Sequence, residues 1–162
     1  MEIPCSATHL LILVSPIVPS FNNHYYTILS GISNATGAAA QASSLTFKNM
    51  TGYLATLDSY EEYAFILYQL RAHRALISAN DTKSEGVWVT GPTPSSIGGA
   101  ATVLPWAQGE PGGGTSKNCA IITYYGLVGT YCALFDTSGL YVIEYECASP
   151  KVLANGACIS KF

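Results

Sequence analysis

The chain has 162 residues, which is enough for one domain with a short arm or tail. Only 10% of the residues are charged, and none of the seven Lys and Arg residues precedes Lys48, so the sequence has no basic patch and nucleic acid is not an expected partner. We expect a surface this poor in charge to be covered by glycans or by neighbouring molecules, and a sticky monomeric domain is the alternative.

An apolar arm, residues 1–23, precedes the rest of the sequence. Its run "HLLILVSPIVPS" is interrupted by Pro16 and Pro19 and is too short to cross a bilayer, so no membrane span is expected. The arm also lacks the positive charge of a secretory signal, since its only charged residue is Glu2. An apolar segment of this kind is expected to be held by other structure.

A strand and a helix are predicted next. The stretch "HYYTIL", His24–Leu29, alternates and is aromatic, which is typical of a strand. The Ala-rich stretch Ser33–Phe47 predicts a helix with Ser33 or Asn34 as its cap.

A second helix is predicted from the residues after "GYLATL". Ser59 and Glu62 have the spacing of a capping box. Apolar residues then recur at helical spacing, at Ala64, Leu67 and Tyr68.

After Arg74 the sequence changes to short strands and loops rich in Gly and Pro. Four segments predict strands, with a long loop at 92–117 between the first two: "GVWVTG", "CAIITYY", "YCALF" and "LYVIEYE". Two helices followed by several antiparallel strands predict an α+β domain. A loop of that length is typical of a functional or pinned segment.

The cysteines and three N-x-T sequons indicate an extracellular or cell-surface protein. The five cysteines form no C-x-x-C pair and no Cys/His cluster, which argues against a zinc site of that kind and favours disulfides. We expect N-glycans on at least two of the three sequons, each of which lies at a predicted loop or helix end: Asn34, Asn49 and Asn80.

The order of six segments resembles the C-type lectin-like domain: "GYLATLDSYEEYAFI", "ISANDTKSEGVWVTGP", "PWAQGEPGGG", "NCAII", "TYCALF" and "YVIEYEC". The resemblance covers residues 24–147 and leaves 1–23 as an N-terminal extended arm and 148–162 as a C-terminal tail. It implies an α+β fold with two helices, antiparallel and mixed strands, a long loop that carries the ligand, and ends that meet in one hairpin.

The resemblance also implies a disulfide between Cys119 and Cys132 that pins the long-loop region. In the family the cysteine of the last strand, here Cys147, bonds to a cysteine at the end of the first helix, where this sequence has none. The loop to Cys158 is short and costs little entropy to close, so Cys158 is the expected partner, with Cys5 as the competitor.

Sugar-binding members of the family hold Ca²⁺ with a Glu and an Asn that flank a cis-proline, and with an Asn-Asp pair. Here Glu110 and Pro111 match, but Gly112 replaces the Asn, and Val128 and Gly129 replace the pair. Since Ca²⁺ requires about six to eight oxygen ligands, several of them anionic, one surviving carboxylate predicts a remnant with no metal or cofactor. The proline is expected to remain cis.

Catalysis is not expected. The sequence has no nucleophile elbow, phosphate loop or paired-carboxylate pattern, and its histidines are scattered: His9, His24 and His73. Glu144 and Glu146 alternate with apolar residues, so both are expected to be solvated or paired on the outer face of the last strand. Trp88 and Trp106 are expected to anchor the core and the loop, with sugar stacking as the alternative.

Two functions fit these features. In the first, the chain is a glycosylated structural subunit whose arm adds as a strand to a neighbouring copy, with Leu10, Ile12 and Val14 on one face. Such head-to-tail contacts propagate into a filament unless they close a ring. The alternative position for the arm is the edge of its own sheet. In the second function, the chain is a calcium-independent carbohydrate-binding lectin. The missing calcium ligands and the low charge favour the first.

Overall fold

The architecture is that of a computed structural model, which describes residues 12–13, 16–19, 23–91, 105–134, 139–147, 151–154 and 157–160. Within these ranges the main elements are, in chain order, β1 (Ile12–Leu13), β2 (Val18–Pro19), β3 (Tyr25–Ser30), α1 (Ala35–Ser44), β4 (Thr46–Phe47), β5 (Met50–Leu54), α2 (Tyr60–Ala64), β6 (Ala75–Asn80), β7 (Cys119–Thr123), β8 (Gly126–Thr130), β9 (Tyr141–Tyr145), β10 (Lys151–Ala154) and β11 (Ala157–Ser160).

A mixed sheet contains strands β1 to β9. Its main order is β1-β3-β9-β6-β7-β8, with β2 also on β3, β5 on β9 and β4 on β5. Strands β3 and β9 are antiparallel, with Tyr25 opposite Tyr145 and Leu29 opposite Tyr141, whereas β6 runs parallel to β9. The first and last strands of the domain are therefore neighbours, and this sheet with its two helices confirms the predicted fold class.

Helix α1 begins where the sequence predicts and ends earlier. Asn34 is its N-cap, since the Asn34 side chain accepts a hydrogen bond of 2.7 Å from the Gly37 amide. The helix ends at Ser44 because the next residues enter a tight hairpin between β4 and β5. The two turn residues, Lys48 and Asn49, have φ of 49° and 63°, the left-handed conformation that such two-residue turns require.

Helix α2 contains half of the predicted capping box. The Ser59 side chain accepts from the Glu62 amide at 3.1 Å, but the Glu62 carboxylate accepts from the Asp58 amide and not from that of Ser59. After Ala64 the helix widens into a π-helical turn, Phe65–Gln69, which shifts the buried face. Tyr68 is consequently exposed, in contrast to the predicted apolar stripe.

Helix α1 packs closely on the sheet through small residues. Its buried side chains are Ala38 and Ala42, and it lies against β5. A Cβ atom built at Gly52 of β5 would lie only 2.8 Å from the Ala42 carbonyl oxygen and 2.9 Å from Ile143. Glycine at position 52 is therefore what allows the helix to approach the strand.

Two disulfides join the described cysteines. Cys119 is bonded to Cys132, as the family resemblance implies, and Cys147 is bonded to Cys158. The second bond ties β11 to the end of the domain, and β11 pairs with β10 in a separate two-stranded sheet. The C-terminal segment 148–162, predicted as a tail, thus contains a disulfide-tethered hairpin among its described residues. Cys5, the competing partner, lies outside the described residues.

Candidate functional site

The loop at the family's calcium position is anchored by two tryptophans. Trp106 pairs with Leu127 of β8, and its ring meets that of Trp88 edge-on at 4.5 Å between centroids. Trp88 is buried and Trp106 is half-buried against the core. Both residues therefore have the anchoring positions that the sequence predicts.

The Glu110 carboxylate binds backbone amides at this position. The Glu110–Pro111 peptide bond is cis, as expected. One oxygen of the carboxylate, Oε2, accepts hydrogen bonds from the amide of Gly112 at 2.8 Å and from that of Gly129 at 3.0 Å. Two of the positions that supply calcium ligands in sugar-binding members thus supply N–H donors here.

These residues do not fit a calcium ion. A Cβ atom built at Gly129 would lie 3.2 Å from Glu110 Oε2, so the glycine lets its backbone approach the carboxylate. Ca²⁺ requires several anionic oxygens, and among the family's ligand positions only Glu110 carries a carboxylate, one oxygen of which already accepts two amide hydrogens. We therefore assign no calcium-dependent ligand binding to the Glu110 loop.

Adding Ca²⁺ to the metal-free protein is accordingly expected to leave the melting temperature unchanged within about 1 °C, because an ion that does not bind the folded state cannot stabilise it. Differential scanning fluorimetry with and without millimolar CaCl₂ measures this. A rise of several degrees that grows with calcium concentration would contradict the prediction.

A buried polar cluster lies elsewhere, between β3, α2 and β9. We call it the His24 cluster, and it consists of His24, Tyr26, Glu62 and Glu144. His24 Nδ1 lies 2.5 Å from Glu144 Oε1, and the Tyr26 hydroxyl donates to Glu62 Oε1 and lies 3.2 Å from Glu144 Oε1. Three of the side chains are almost fully buried, and that of His24 is 20% exposed.

His24, Glu62 and Glu144 each have a further contact, on the side that faces away from the other members of the cluster. Glu144 Oε2 accepts from the Thr56 amide at 2.9 Å and from the Thr56 hydroxyl at 3.1 Å. Glu62 Oε2 accepts from the Asp58 amide at 2.7 Å. His24 Nε2 lies 3.2 Å from Glu146 Oε2, so this nitrogen faces the outer carboxylate and Nδ1 faces inward.

The cluster corrects the expectation for the last strand. Glu146 is partly exposed, with 43% of its side chain accessible, but Glu144 is fully buried and not solvated. The reason is that β9 lies between β3, β5 and β6 in the sheet, and all five of its residues are buried. The family resemblance implies that the ends of the domain meet, but it does not give the register that places Tyr26 opposite Glu144.

Burial and hydrogen bonding perturb the titration of two groups in the cluster. The hydrogen bond from His24 to Glu144 raises the pKa of the imidazole above its ordinary value. Loss of hydration on burial raises the pKa of the Glu62 carboxyl. Both groups therefore bind their protons more tightly in the folded protein than in the unfolded chain.

The free energy of unfolding of the metal-free protein is expected to fall as the pH rises above the ordinary pKa values of Glu62, 4.5, and His24, 6.5. A raised folded-state pKa contributes stability that is complete below the unfolded value and is lost as the pH passes the folded value. Urea unfolding between about pH 4 and pH 9 measures the slope. In Glu62→Gln the lower part of this decline should disappear, and a variant with the wild-type slope would contradict the assignment.

The sequons differ in exposure. Asn34 and Asn49 are exposed, whereas Asn80 is buried in β6 and its side-chain oxygen accepts from the Thr82 hydroxyl at 2.7 Å. Because the Asn80 amide is buried, it is not accessible for a glycan in the folded domain. Asn34 and Asn49 are therefore the two expected glycosylation sites.

The described part of the arm lies on the domain's own sheet. Ile12 and Leu13 pair with Ser30 and Leu29, and Val18 and Pro19 pair with Tyr26 and Tyr25. The other two residues of the predicted assembly face, Leu10 and Val14, lie outside the described residues. Within one chain the described part of the arm thus lies on the edge of its own sheet, which is the alternative to adding as a strand to a neighbouring copy. In the part of the chain that the structure describes, no helix is long and apolar enough to cross a membrane.

An exposed aromatic surface lies at the β7–β8 turn. The ring of Tyr124 stacks on that of His73, with centroids 4.3 Å apart, and Tyr68 lies 6.2 Å from Tyr124. Tyr68, Tyr124 and Tyr125 are all more than half exposed. Tyr124 and Tyr125 lie a few residues before Val128, one of the calcium positions, but this Tyr124 surface was not predicted from the sequence.

Comparison with known structures identifies the fold. The chain superposes on the EPNH mutant of CEL-I with a TM-score of 0.64 and 17% identity, over 83% of this chain and 98% of that one. For the C-type carbohydrate-recognition domain of cow CD23, in the presence of a GlcNAc2Man3 oligosaccharide, the TM-score is 0.62 and the identity 19%, over 82% and 96% of the chains. For a Ca²⁺-dependent type II antifreeze protein the TM-score is 0.59 and the identity 13%, over 77% and 94% of the chains.

The chain therefore has the C-type lectin-like fold. No known family model matches the sequence. Among curated proteins, halomucin from Haloquadratum walsbyi is 30% identical over 137 residues, which cover 79% of this chain but only 2% of halomucin. This chain spans a small fraction of that relative's length.

Proposed function

We propose that this chain is an extracellular, glycosylated structural module of the C-type lectin-like fold, whose copies assemble by exchanging the N-terminal arm. The position of the arm on the edge of its own sheet carries the proposal. Two disulfides and two exposed sequons support an oxidising compartment outside the cytosol. The loss of calcium ligands around Glu110 supports a role that does not use the family's metal-dependent ligand site.

Arm exchange requires no contacts beyond those already present in one chain. The arm contributes two short strands to the edge of β3, through main-chain pairing at Leu29–Ser30 and Tyr25–Tyr26. The arm of a second copy can make the same hydrogen bonds, because main-chain pairing is independent of which molecule supplies the strand. Exchange of this kind is domain swapping, and when each copy gives its arm to the next the contact is heterologous and propagates into a filament.

Deleting residues 1–20 tests the assembly. The truncated protein is expected to remain monomeric under conditions in which the full chain forms polymers, as judged by light scattering and electron microscopy. A synthetic peptide of residues 8–20 should bind the truncated domain, because the deletion uncovers the β3 edge. A truncated protein that still polymerises, or a full chain that is monomeric at all concentrations, would contradict arm exchange.

A calcium-independent carbohydrate site is the second candidate, and the Tyr124 surface favours it. The apolar face of a sugar ring stacks on exposed aromatic side chains, and Tyr68, Tyr124 and Tyr125 present such rings. The cow CD23 domain, whose fold is similar, was crystallised with an oligosaccharide. In this proposal the sugar binds at the β7–β8 turn and not at the Glu110 loop.

A glycan array run in EDTA tests the second candidate. Binding by the wild-type chain should be lost in Tyr124→Ala and retained in Tyr131→Ala, a matched control because Tyr131 is also about half exposed, at 53%. Equal loss in both variants, or no binding by the wild type, would eliminate the Tyr124 surface as a sugar site.

A further inference from the structure

The exposed Tyr124 surface lies beside both arginines of the chain. The sequence contains two arginines, Arg71 and Arg74, and both are exposed in the loop that leads into β6. His73, which lies between them in the sequence, stacks on the Tyr124 ring with centroids 4.3 Å apart. The Arg74 amide donates a hydrogen bond of 2.7 Å to the carbonyl oxygen of Ile122, two residues before Tyr124. The loop that contains the arginines is therefore fixed beside the exposed rings.

Backbone hydrogen bonds and a buried alanine hold this loop in place. The Ala72 side chain is fully buried, and the Ala72 amide donates to the carbonyl oxygen of Ile66 in the π-helical turn at 3.3 Å. The Ala75 amide donates to the Ala72 carbonyl oxygen, also at 3.3 Å. The loop is thus attached both to the end of the second helix and to β7. A ligand that binds a preformed loop does not have to order it first.

Both arginines have a backbone conformation that favours glycine. The φ angles of Arg71 and Arg74 are 59° and 65°, in the left-handed region that residues with a long side chain rarely adopt. At seven other positions of positive φ the described chain has glycine, as at Gly126 and Gly139. Strained residues of this kind cluster at functional sites. Two of them in one short loop indicate that the guanidinium groups are kept for binding and not for the fold.

Arginine and tyrosine side chains together suit an acidic sugar. A guanidinium group recognises carboxylate and sulfate oxygens through paired hydrogen bonds, and the apolar face of a sugar ring stacks on tyrosine. The chain as a whole has a net charge of -3, so an anion is attracted to this loop and not to the protein in general. The charge of the loop therefore distinguishes an acidic ligand from a neutral one.

We infer that Arg71 and Arg74, together with the Tyr124 surface, form a binding site for an acidic saccharide that carries carboxylate or sulfate groups. The exposed tyrosine rings bind the sugar ring, and the two arginines select the charged substituent. The inference rests on the proposed sugar site at the β7–β8 turn and assigns the ligand class of that site. It does not depend on arm exchange.

Titration calorimetry in EDTA with three tetrasaccharides tests the ligand class. All three contain N-acetylglucosamine, but hyaluronan fragments carry carboxylates, keratan sulfate fragments carry sulfates and chitin fragments are neutral. We expect one or both acidic fragments to bind at least about 10-fold more tightly than the chitin fragment, with an affinity that falls as NaCl is added. Chitin bound as tightly as both acidic fragments would overturn the inference and leave the sugar site itself standing.

Glycine variants separate binding from a structural role. Arg71→Gly and Arg74→Gly are each expected to weaken binding of the acidic fragment about 10-fold. Their melting temperatures should stay within about 2 °C of the wild type or rise, because glycine adopts the left-handed conformation without strain. Lys48→Gly is the matched control, since Lys48 is also basic and exposed and has φ of 49°, but lies at the β4–β5 turn.

The variants also define the results that contradict the inference. Acidic binding that is unchanged in both arginine variants, or that is weakened equally in Lys48→Gly, would overturn it. A large fall in melting temperature in both arginine variants would show that these residues serve the fold. If the wild type binds none of the three fragments, or if Tyr124→Ala binds the acidic fragment as the wild type does, the sugar site is overturned together with its ligand class.

Discussion

Glu144→Ala is expected to lower the free energy of unfolding by about 3–5 kcal/mol, the usual effect of removing one partner from a buried charged network. Glu144 is fully buried and interacts with His24, Tyr26 and Thr56. Its removal takes the Glu144 acceptor from the Thr56 amide and the Glu144 carboxylate from His24 Nδ1. Since a domain is typically stable by only about 5–15 kcal/mol, this loss should be visible as a large shift in the urea midpoint.

Glu146→Ala is the matched control for this experiment. Glu146 is two residues further along the chain and also lies close to His24, but 43% of its side chain is exposed. A partly exposed pair of this kind contributes at most about 1 kcal/mol. Equal effects of the two substitutions, measured in metal-free buffer at the same pH, would show that the cluster is not the stabilising network that its geometry indicates.

Removing the disulfide between Cys119 and Cys132 is expected to cost about 3 kcal/mol. The bond closes a loop with a sequence separation of 13 residues, and loops of about 15 residues are stabilised by that amount through the smaller entropy of the unfolded chain. Cys119 is also buried at the start of β7, next to Asn80 of β6. The double variant Cys119→Ala/Cys132→Ala, studied by denaturant unfolding, measures the loss.

The second disulfide provides the comparison. Cys147 and Cys158 close a loop of similar size, with a separation of 11, but this bond holds the β10–β11 hairpin, which forms its own small sheet. Cys147→Ala/Cys158→Ala should therefore release the hairpin to proteases and change the main unfolding transition by less than about 1 kcal/mol. If both double variants destabilise the main transition equally, loop closure alone governs the effect and the position of the bond is irrelevant.

Several features of this protein depend on short-range interactions and could therefore be predicted from the sequence. The cap at Asn34, the start of α2 at Ser59 and the strand-like segments follow from short-range rules, which act between residues that are close in the chain. The order of six segments predicts the fold through its resemblance to the C-type lectin-like domain, and the same resemblance shows Gly112 and Gly129 at positions of calcium ligands. These features do not depend on which residues pack against them in the folded domain.

Only the tertiary structure decided the environment of each polar side chain. Alternation along β9 predicts Glu144 to be solvated or paired on an outer face, but all five residues of the strand are buried inside the sheet, so Glu144 is paired in the interior. Tyr68 is exposed because the π-helical turn Phe65–Gln69 changes the spacing of the buried positions. Asn80 carries a sequon, yet its position in β6 hides the amide.

The His24 cluster is the clearest case. Its members are up to 120 residues apart in sequence, so no motif of neighbouring residues predicts it. The pairing of β3 with β9 and the packing of α2 bring the four side chains together. The spacing of these four residues in the sequence does not predict that their side chains meet, because long-range strand pairing and burial bring them together.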